Sequence, residues 1–255
     1  MNFVLPVIGT MSVVGAAVGA GYYATYAVRS QWLGPTVWHG RRDTRSVSLT
    51  FDDGPSKDTD LILDVLEAHN LLATFFMIGR NVDRFPQTAR RIVAAGHEVG
   101  NHSYSHPVYL YRRSRRTRRE LELTQAAIME ATGLLPTIAR PPCGVRTSTY
   151  FSEARRLGLR TVQWDVAAFD WNRLKAKQIS RNVLRRASAG SIVLLHDGDS
   201  EGKRNRRETA KALPLIIKGL RDAGLSIVPL AELLPESQLE PKTLGRGLHD
   251  RTANA

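Results

Sequence analysis

Two adjacent carboxylates form the first candidate site in this 255-residue chain. Asp52 and Asp53 close the β-prone run 47–51 and are followed at once by Gly54-Pro55. Neighbouring side chains inside a strand point to opposite faces, but a Gly-Pro turn breaks that alternation and lets both carboxylates converge. Two carboxylates this close are costly unless a cation neutralises one of them. The pair suggests a metal ligand beside a general base, and a plain Asp-Asp-Gly-Pro surface turn is the alternative.

Two histidines form the second candidate site. His102 and His106 are spaced i, i+4, which places both imidazoles on one face of a helical turn and suits zinc. Pro107 disfavours a continuing helix, so we expect a single turn or a loop here. Together with Asp53 they would give a two-histidine, one-carboxylate site with open positions for water, the pattern of a hydrolytic zinc centre.

Three more segments place polar residues next to apolar runs. Arg140 opens R-P-P-C-G, and an arginine can make a bidentate contact with a carboxylate. Cys143 has no obvious basic partner in the sequence, which favours a small side chain in a tight loop over a nucleophile. His196 ends the apolar run 192–195, and a carboxylate such as Asp170 beside it would keep it protonated as a general acid by raising its pKa.

These five segments, in this order, resemble the motifs of the polysaccharide deacetylases, carbohydrate esterase family 4, whose domain is called the NodB homology domain. T-F-D-D-G, H-[ST]-x-x-H and L-x-H are intact. Cys143 stands where the family usually has an aromatic residue, and Ala167 stands where it usually has aspartate. The resemblance covers about residues 47–228, and the two departures bear on the choice of substrate more than on the reaction.

The resemblance implies a hydrolase that removes N-acetyl groups from N-acetylglucosamine-type sugars in peptidoglycan or a related bacterial polysaccharide. It implies Zn²⁺, or another divalent metal such as Co²⁺, bound by Asp53, His102 and His106, with attack by metal-activated water. The other implied roles are Asp52 as base, His196 as acid, Arg140 orienting Asp52, Asp170 tuning His196, the Cys143 N–H stabilising the oxyanion, and Trp171 and Leu194 lining the acetyl pocket.

Two other functions stay open. The first is a deacetylase or deformylase of a lipid-linked sugar at the cytoplasmic membrane face, and the second is a non-catalytic glycan- or lipid-binding protein. The formal net charge of +12 indicates an anionic partner. No recognised nucleic-acid module accompanies it, so we expect no nucleic-acid partner. The run R-R-S-R-R-T-R-R over 112–119 is either a solvated helix start or a contact for phosphate.

The elements that must position these residues alternate between strand and helix over about 190 residues. We predict an α/β fold, a distorted (β/α) barrel of about seven parallel strands, with the chemistry at the carboxyl ends of the strands. The predicted strands are 47–51, 73–78, 97–100, 137–140, 161–164, 191–195 and 226–228. The predicted helices lie near 58–69, 86–95, 115–132, 148–157, 176–189 and 208–223.

The N-terminal residues 3–28 lack charged side chains, and their number fits a membrane span. We predict that one transmembrane helix precedes the barrel, within an anchor or uncleaved signal over 1–29. A juxtamembrane linker over 30–45, the deacetylase domain over 46–235 and a flexible tail over 236–255 would follow. The protein would be a single-pass cell-membrane protein with its catalytic domain outside the cytoplasm, although the arginines after the span favour the cytoplasmic side. Oligomeric state is not predicted.

Overall fold

Parallel strands form the centre of the computed structural model, which describes residues 4–107 and 113–234. The strands are β1 (Ser46–Asp52), β2 (Thr74–Met77), β3 (Glu98–Asn101), β4 (Ile138–Ala139), β5 (Arg160–Thr161), β6 (Val166–Ala167), β7 (Ile192–His196) and β8 (Ser226–Ile227). Seven of them run side by side in the order β5-β4-β3-β2-β1-β7-β6, and β8 pairs with the start of β1. The α/β fold with parallel strands in an open, barrel-like sheet confirms the prediction at this level.

Helices connect most of the strands. They are α1 (Val4–Tyr26), α2 (Thr59–Ala68), α3 (Gly79–Arg84), α4 (Pro86–Ala94), α5 (Ser114–Thr132), α6 (Ser148–Arg156), α7 (Ala176–Leu184), α8 (Arg207–Asp222) and α9 (Leu230–Leu233). Their apolar side chains recur at helical spacing, as in α8, where Leu213, Ile216, Ile217 and Leu220 are all buried against the sheet layer. The exposed arginines on the first turns of α5 agree with a solvated helix start.

Strand β1 is buried on both faces, which is what a parallel strand covered by helices on one side and barrel interior on the other requires. Val47, Leu49 and Phe51 belong to the large apolar core that includes the helices. The alternate residues Thr50 and Asp52 therefore face the barrel interior. Because β1 ends at Asp52, that carboxylate lies at the carboxyl edge of the sheet.

The chain between α1 and β1 lies against the barrel. Val37 makes a parallel bridge to Val162, just after β5, and packs in the inner apolar core. The neighbouring His39 Nε2 lies 3.7 Å from Asp165 Oδ2, just before β6. Residues 37–39 thus contact both edges of the open sheet, β5 on one side and β6 on the other.

The predicted membrane anchor is wrong. Within residues 4–107 and 113–234, no helix is long and apolar enough to cross a membrane, which overturns the predicted single-pass topology and the predicted span through residues 3–28. The end of α1 also contacts the barrel, because the Arg146 N–H donates to the Thr25 carbonyl. The predicted tail over 236–255 lies outside the described residues.

Candidate active site

Three metal-binding side chains converge at the carboxyl edge of the sheet. Asp53 follows β1, and His102 and His106 follow β3. Asp53 Oδ1 lies 3.4 Å from His102 Nε2 and 3.3 Å from His106 Nε2. One ligand atom from each residue falls within 4.8 Å of the other two, so a single cation fits between them.

The hydrogen bonds of this cluster leave its ligand atoms free for a metal. His102 Nδ1–H donates to the Arg140 carbonyl oxygen at 2.7 Å, which fixes the tautomer and leaves the Nε2 lone pair available. Asp53 Oδ1 is buried and finds no hydrogen-bond donor among the described residues. Burial opposes ionisation of Asp53, but the adjacent imidazoles of His102 and His106 outweigh it and hold the pKa of this carboxyl well below its usual range. A buried, unpartnered anionic oxygen facing two nitrogen lone pairs fits a divalent cation.

Backbone conformations that side chains rarely adopt concentrate in the loops around this cluster. Of the seven non-glycine residues with positive φ in the described chain, all but Asn70 lie in these loops. Asp53 (φ 73°) and His106 (φ 57°) are two of them, and Cys143 (φ 53°) and Phe169 (φ 57°) are others. Such conformations persist where surrounding contacts fix them, which is typical of functional sites.

A buried ion pair lies beside the cluster. Arg140 is fully buried, and its Nη1 donates to Asp52 Oδ1 at 2.7 Å and to Thr50 Oγ1 at 2.8 Å. Its Nη2 donates to the Gln163 carbonyl, and its guanidinium carbon lies 4.0 Å from the centroid of the Phe76 ring. Asp52 Oδ2 lies on the side of the cluster, 3.7 Å from His102 Nε2. Arg140 therefore fixes one oxygen of Asp52 and leaves the other facing the cluster.

A histidine–aspartate pair completes the group. His196 ends β7, and Asp170 follows β6 in a short 3-10 turn. Asp170 Oδ1 accepts from His196 Nδ1–H at 2.8 Å, and its Oδ2 accepts from the His196 backbone N–H and the Thr209 hydroxyl. Burial disfavours the imidazolium, but the charge and hydrogen bond of Asp170 overcome it and raise the pKa of His196 to about 9.

The three side chains predicted to contact substrate surround the same edge. The Trp171 ring lies edge-on to His196, with centroids 5.3 Å apart. Leu194 is buried on β7 two residues before His196, so both point to the same face. Cys143 lies in the one-turn 3-10 helix Pro142–Gly144. Burial and the charges of Asp53 and Asp52 raise the pKa of its thiol, which makes it a poor nucleophile.

The structure thus brings together all ten predicted site residues, and it adds supporting residues that we did not predict. Glu120 on α5 accepts hydrogen bonds from the backbone N–H groups of Tyr104 and Ser105, inside the loop that carries His106. Thr209 on α8 supports Asp170. Neither residue stands in a recognisable local pattern, because each meets its partner only through tertiary packing.

This chain is similar in sequence to known deacetylases. A family model described as polysaccharide deacetylase matches residues 39–162. The peptidoglycan-N-acetylglucosamine deacetylase of Listeria monocytogenes is 34% identical over 212 residues, 83% of this chain and 42% of the relative. The chain therefore spans less than half the length of that relative. A chitooligosaccharide deacetylase from a Bradyrhizobium species is 39% identical over 199 residues, 74% of this chain and 91% of the relative.

Solved structures with the same fold include one that is not an active enzyme. A protein from Bacillus anthracis, described as a pseudoenzyme of carbohydrate esterase family 4, superposes with a TM-score of 0.70 at 30% identity. The match covers 79% of this chain and 69% of that one. Likeness of fold therefore does not establish turnover, which depends on the residues of the site.

Proposed function

Because this chain belongs to the polysaccharide deacetylase family, we propose that it hydrolyses the N-acetyl group of N-acetylglucosamine-type sugars in peptidoglycan or a related bacterial polysaccharide. The observation that carries the proposal is the convergence of Asp53, His102 and His106 next to the Asp52–Arg140 and Asp170–His196 pairs. In the reaction water adds to the acetyl carbonyl carbon, the carbon–nitrogen bond breaks, and acetate and a free sugar amine result.

A divalent metal fits the cluster of Asp53, His102 and His106. Asp53 Oδ1 and the Nε2 atoms of His102 and His106 would hold it, and two imidazoles with one carboxylate suit zinc or cobalt. When bound, such a cation polarises the acetyl carbonyl and makes water a stronger nucleophile near neutral pH. We assign zinc as the physiological metal on this choice of ligands.

Asp52 is the proposed general base. Arg140 occupies its Oδ1 and leaves Oδ2 to take the proton of the attacking water. Because Arg140 is itself held by Thr50 and the Gln163 carbonyl, the carboxylate is kept in one orientation. The backbone N–H of Cys143 is the proposed donor to the oxygen that becomes negatively charged, a role that survives loss of an aromatic side chain.

His196 is the proposed general acid. Its pKa of about 9 keeps it protonated at neutral pH, so it can donate a proton to the departing sugar amine. Asp170 positions it by holding Nδ1, which leaves Nε2–H to face the substrate. Trp171 and Leu194, beside His196, form the proposed pocket for the acetyl methyl group.

Acetate release from chitooligosaccharides and from peptidoglycan, with and without Zn²⁺ after chelation, tests the proposal. Asp52→Asn should reduce acetate release to background, at least about a hundredfold, while metal binding measured by titration is retained. Asp53→Asn should lose both metal binding and activity. Exposed Asp222→Asn, which removes the same charge from a surface ion pair, is the matched control and should behave as the unaltered protein. Full activity of Asp52→Asn would contradict the assigned base.

Glycan binding without turnover is a second candidate, favoured by the likeness to the Bacillus anthracis pseudoenzyme. It predicts binding of chitooligosaccharides with no acetate released from either glycan at any metal concentration. The intact Asp52–Arg140 and Asp170–His196 pairs favour turnover.

A further inference from the structure

A cavity of about 410 Å³ lies next to the proposed acid and is used by none of the steps above. Its walls come from residues 170–175, after β6, and residues 203–209, after β7. Both segments follow the carboxyl ends of neighbouring parallel strands, the same edge that carries the candidate active site. We refer to it as the basic cavity.

Cations dominate the walls of the basic cavity. Arg173, Lys175, Lys203 and Arg204 are exposed around it, and Arg206 is buried in its wall. The two acidic side chains that line it already have partners. Asp170 is bonded to His196 and Thr209, and Glu208 accepts from Lys211 and from the Ala176 backbone N–H. Lys203 is paired with the exposed Glu201, but Arg173, Lys175 and Arg204 form no ion pair with a described residue, so the cavity carries excess positive charge that attracts an anion.

The basic cavity is one side chain away from the site of reaction. Trp171 lines it and also contacts the ring of His196. Arg204 Nη1 donates to the Trp171 carbonyl at 3.1 Å, which holds its guanidinium at the cavity wall and leaves other N–H groups free to bind. Trp171 separates the cavity from His196, so a group bound here would lie beside the site of reaction rather than in it.

A second cavity of about 350 Å³ continues the positive surface on the far side of residues 203–205. Lys57, Arg84 and Arg207 line it in addition to Lys203 and Arg204, so its five basic side chains outnumber its two acidic ones, Asp58 and Asp199. Two basic cavities that share one wall suit a polymer with repeated anionic groups better than a single small anion.

Resting on the function proposed above, we propose that the basic cavity binds an anionic group, a carboxylate or phosphate, on the sugar that adjoins the acetylated one. Guanidinium groups bind both groups through paired N–H donors, so the shared chemistry is a planar or tetrahedral oxyanion on a glycan. The cavity would give the enzyme a preference for anionic over neutral chains.

Kinetics on three matched oligosaccharides test this inference: a neutral chitooligosaccharide, one with a carboxylate on the adjoining sugar, and one with a phosphate there. The ratio of kcat/KM on the anionic to that on the neutral chain should fall about tenfold in Arg204→Gln, the loss of one charged hydrogen bond. Arg173→Gln leaves the hydrogen bond from Arg204 to the Trp171 carbonyl in place, and it should lower the same ratio. The anionic oligosaccharide whose kcat/KM advantage over the neutral one is lost in these variants shows whether the cavity binds a carboxylate or a phosphate.

Lys177→Gln and Arg185→Gln are the controls, since both residues are exposed near or on α7, outside the cavity lining, and lose one charge each. They should keep the ratio of the unaltered protein. A ratio that stays the same in both cavity variants, or that falls equally in the controls, would overturn the inference. If no chain releases acetate, the proposed function fails instead, and calorimetric Kd values for the same three chains and variants then decide on the cavity by the same ratio.

Discussion

At the residue scale, the proposed acid depends on one carboxylate. Asp170 is buried and uses both oxygens on His196, one for the ring and one for the backbone N–H. Its charge is the principal reason that His196 keeps a proton inside a buried site. The same contact fixes the side-chain orientation and the protonation state, so we expect the two to be lost together.

Asp170→Asn should move the alkaline limb of the kcat/KM profile to lower pH by about 1–3 units. Without the negative charge the folded-state pKa of His196 falls from about 9, so the imidazole loses its proton at a lower pH and stops acting as an acid. Acetate release between pH 6 and 10 measures the shift, and Asp222→Asn serves as the surface control. An unchanged alkaline limb would show that another group supplies the proton.

Glu120→Gln should weaken metal binding by about 10- to 100-fold without unfolding the protein. Loss of a hydrogen-bond partner that supports the metal ligands has an effect of this size at metal sites. Glu120 Oε2 accepts from two backbone N–H groups in the loop before His106 and its Oε1 accepts from the Ser105 hydroxyl, whereas glutamine offers one uncharged acceptor oxygen in place of two charged ones. Titration of the metal-free protein with Zn²⁺ against a coloured chelator measures the affinity. Glu122→Gln, exposed on the same helix, is the matched control. Equal affinities in both variants would remove Glu120 from the support of the site.

Local patterns in the sequence were enough to select residues that the structure brings close together. Asp52, Asp53 and His196 end apolar strands, and His102 and His106 share a short spacing, so residue type and position were enough to select them. Thr50, Glu120 and Thr209 could not be found that way. Their partners lie far along the chain, and a threonine in a strand or a glutamate in a helix is ordinary without knowledge of the packing.

At the scale of elements, apolar periodicity predicted every helix of nine or more residues within the barrel. It missed β6, α3 and α9 because elements of two, six and four residues are too short to show a period. The error at α1 has a different cause. The prediction rested on the absence of charges and on length, whereas no helix among the described residues is long and apolar enough to cross a membrane.

The junction between α1 and the barrel rests on one buried arginine. Arg146 follows the turn that carries Cys143, and it is fully buried. Its guanidinium donates to the carbonyl oxygens of Ala27, Val28 and Ser30, just beyond the end of α1. Carbonyls near a helix end attract a cation, and three acceptors match the fork of donors on arginine.

Arg146→Met should lower the free energy of unfolding by about 2 kcal/mol or more, because one buried and two half-buried carbonyls lose their donor. Urea unfolding followed by circular dichroism measures the change. Arg146→Lys should recover only part of it, since one ammonium cannot reach all three acceptors. Arg156→Met is the control, because Arg156 is exposed and its contact with Glu153 is long at 3.9 Å, so the change should alter stability by less than about 0.5 kcal/mol. Equal effects at both positions would contradict the role of Arg146 in holding the end of α1 against the barrel.

At the scale of the whole molecule, stability should depend on pH through a buried histidine far from the site. His97 is 6% exposed, and its Nδ1 accepts the Ala73 backbone N–H at 3.2 Å. Burial, with the charge of Arg91, lowers the pKa of His97 to about 4 from 6.5. The unfolded chain therefore takes up this proton at a higher pH than the folded chain does, and the fold loses stability as pH falls from 6.5 towards 4.

His97→Gln should remove about 3 kcal/mol of that loss between pH 6.5 and 4, since glutamine does not titrate and its carbonyl can accept the same N–H. Urea unfolding at pH 7, 6, 5 and 4 compares the two proteins by the slope of stability against pH. His69→Gln, at the partly exposed end of α2, is the control and should keep the original slope. Parallel curves for His97→Gln and the unaltered protein would refute the assignment.

The segment across the open side of the barrel bears on how the protein is made. Residues 37–40 leave the ribosome early, but their partners, Val162, Asp165 and Gly190, are synthesised much later. The segment cannot dock on a nascent chain until both barrel edges exist, whereas β1, β2 and β3 pair in order as they emerge. Docking of the N-terminal segment is therefore a late event of assembly, and a ribosome stalled before Gly190 should display that segment to proteases.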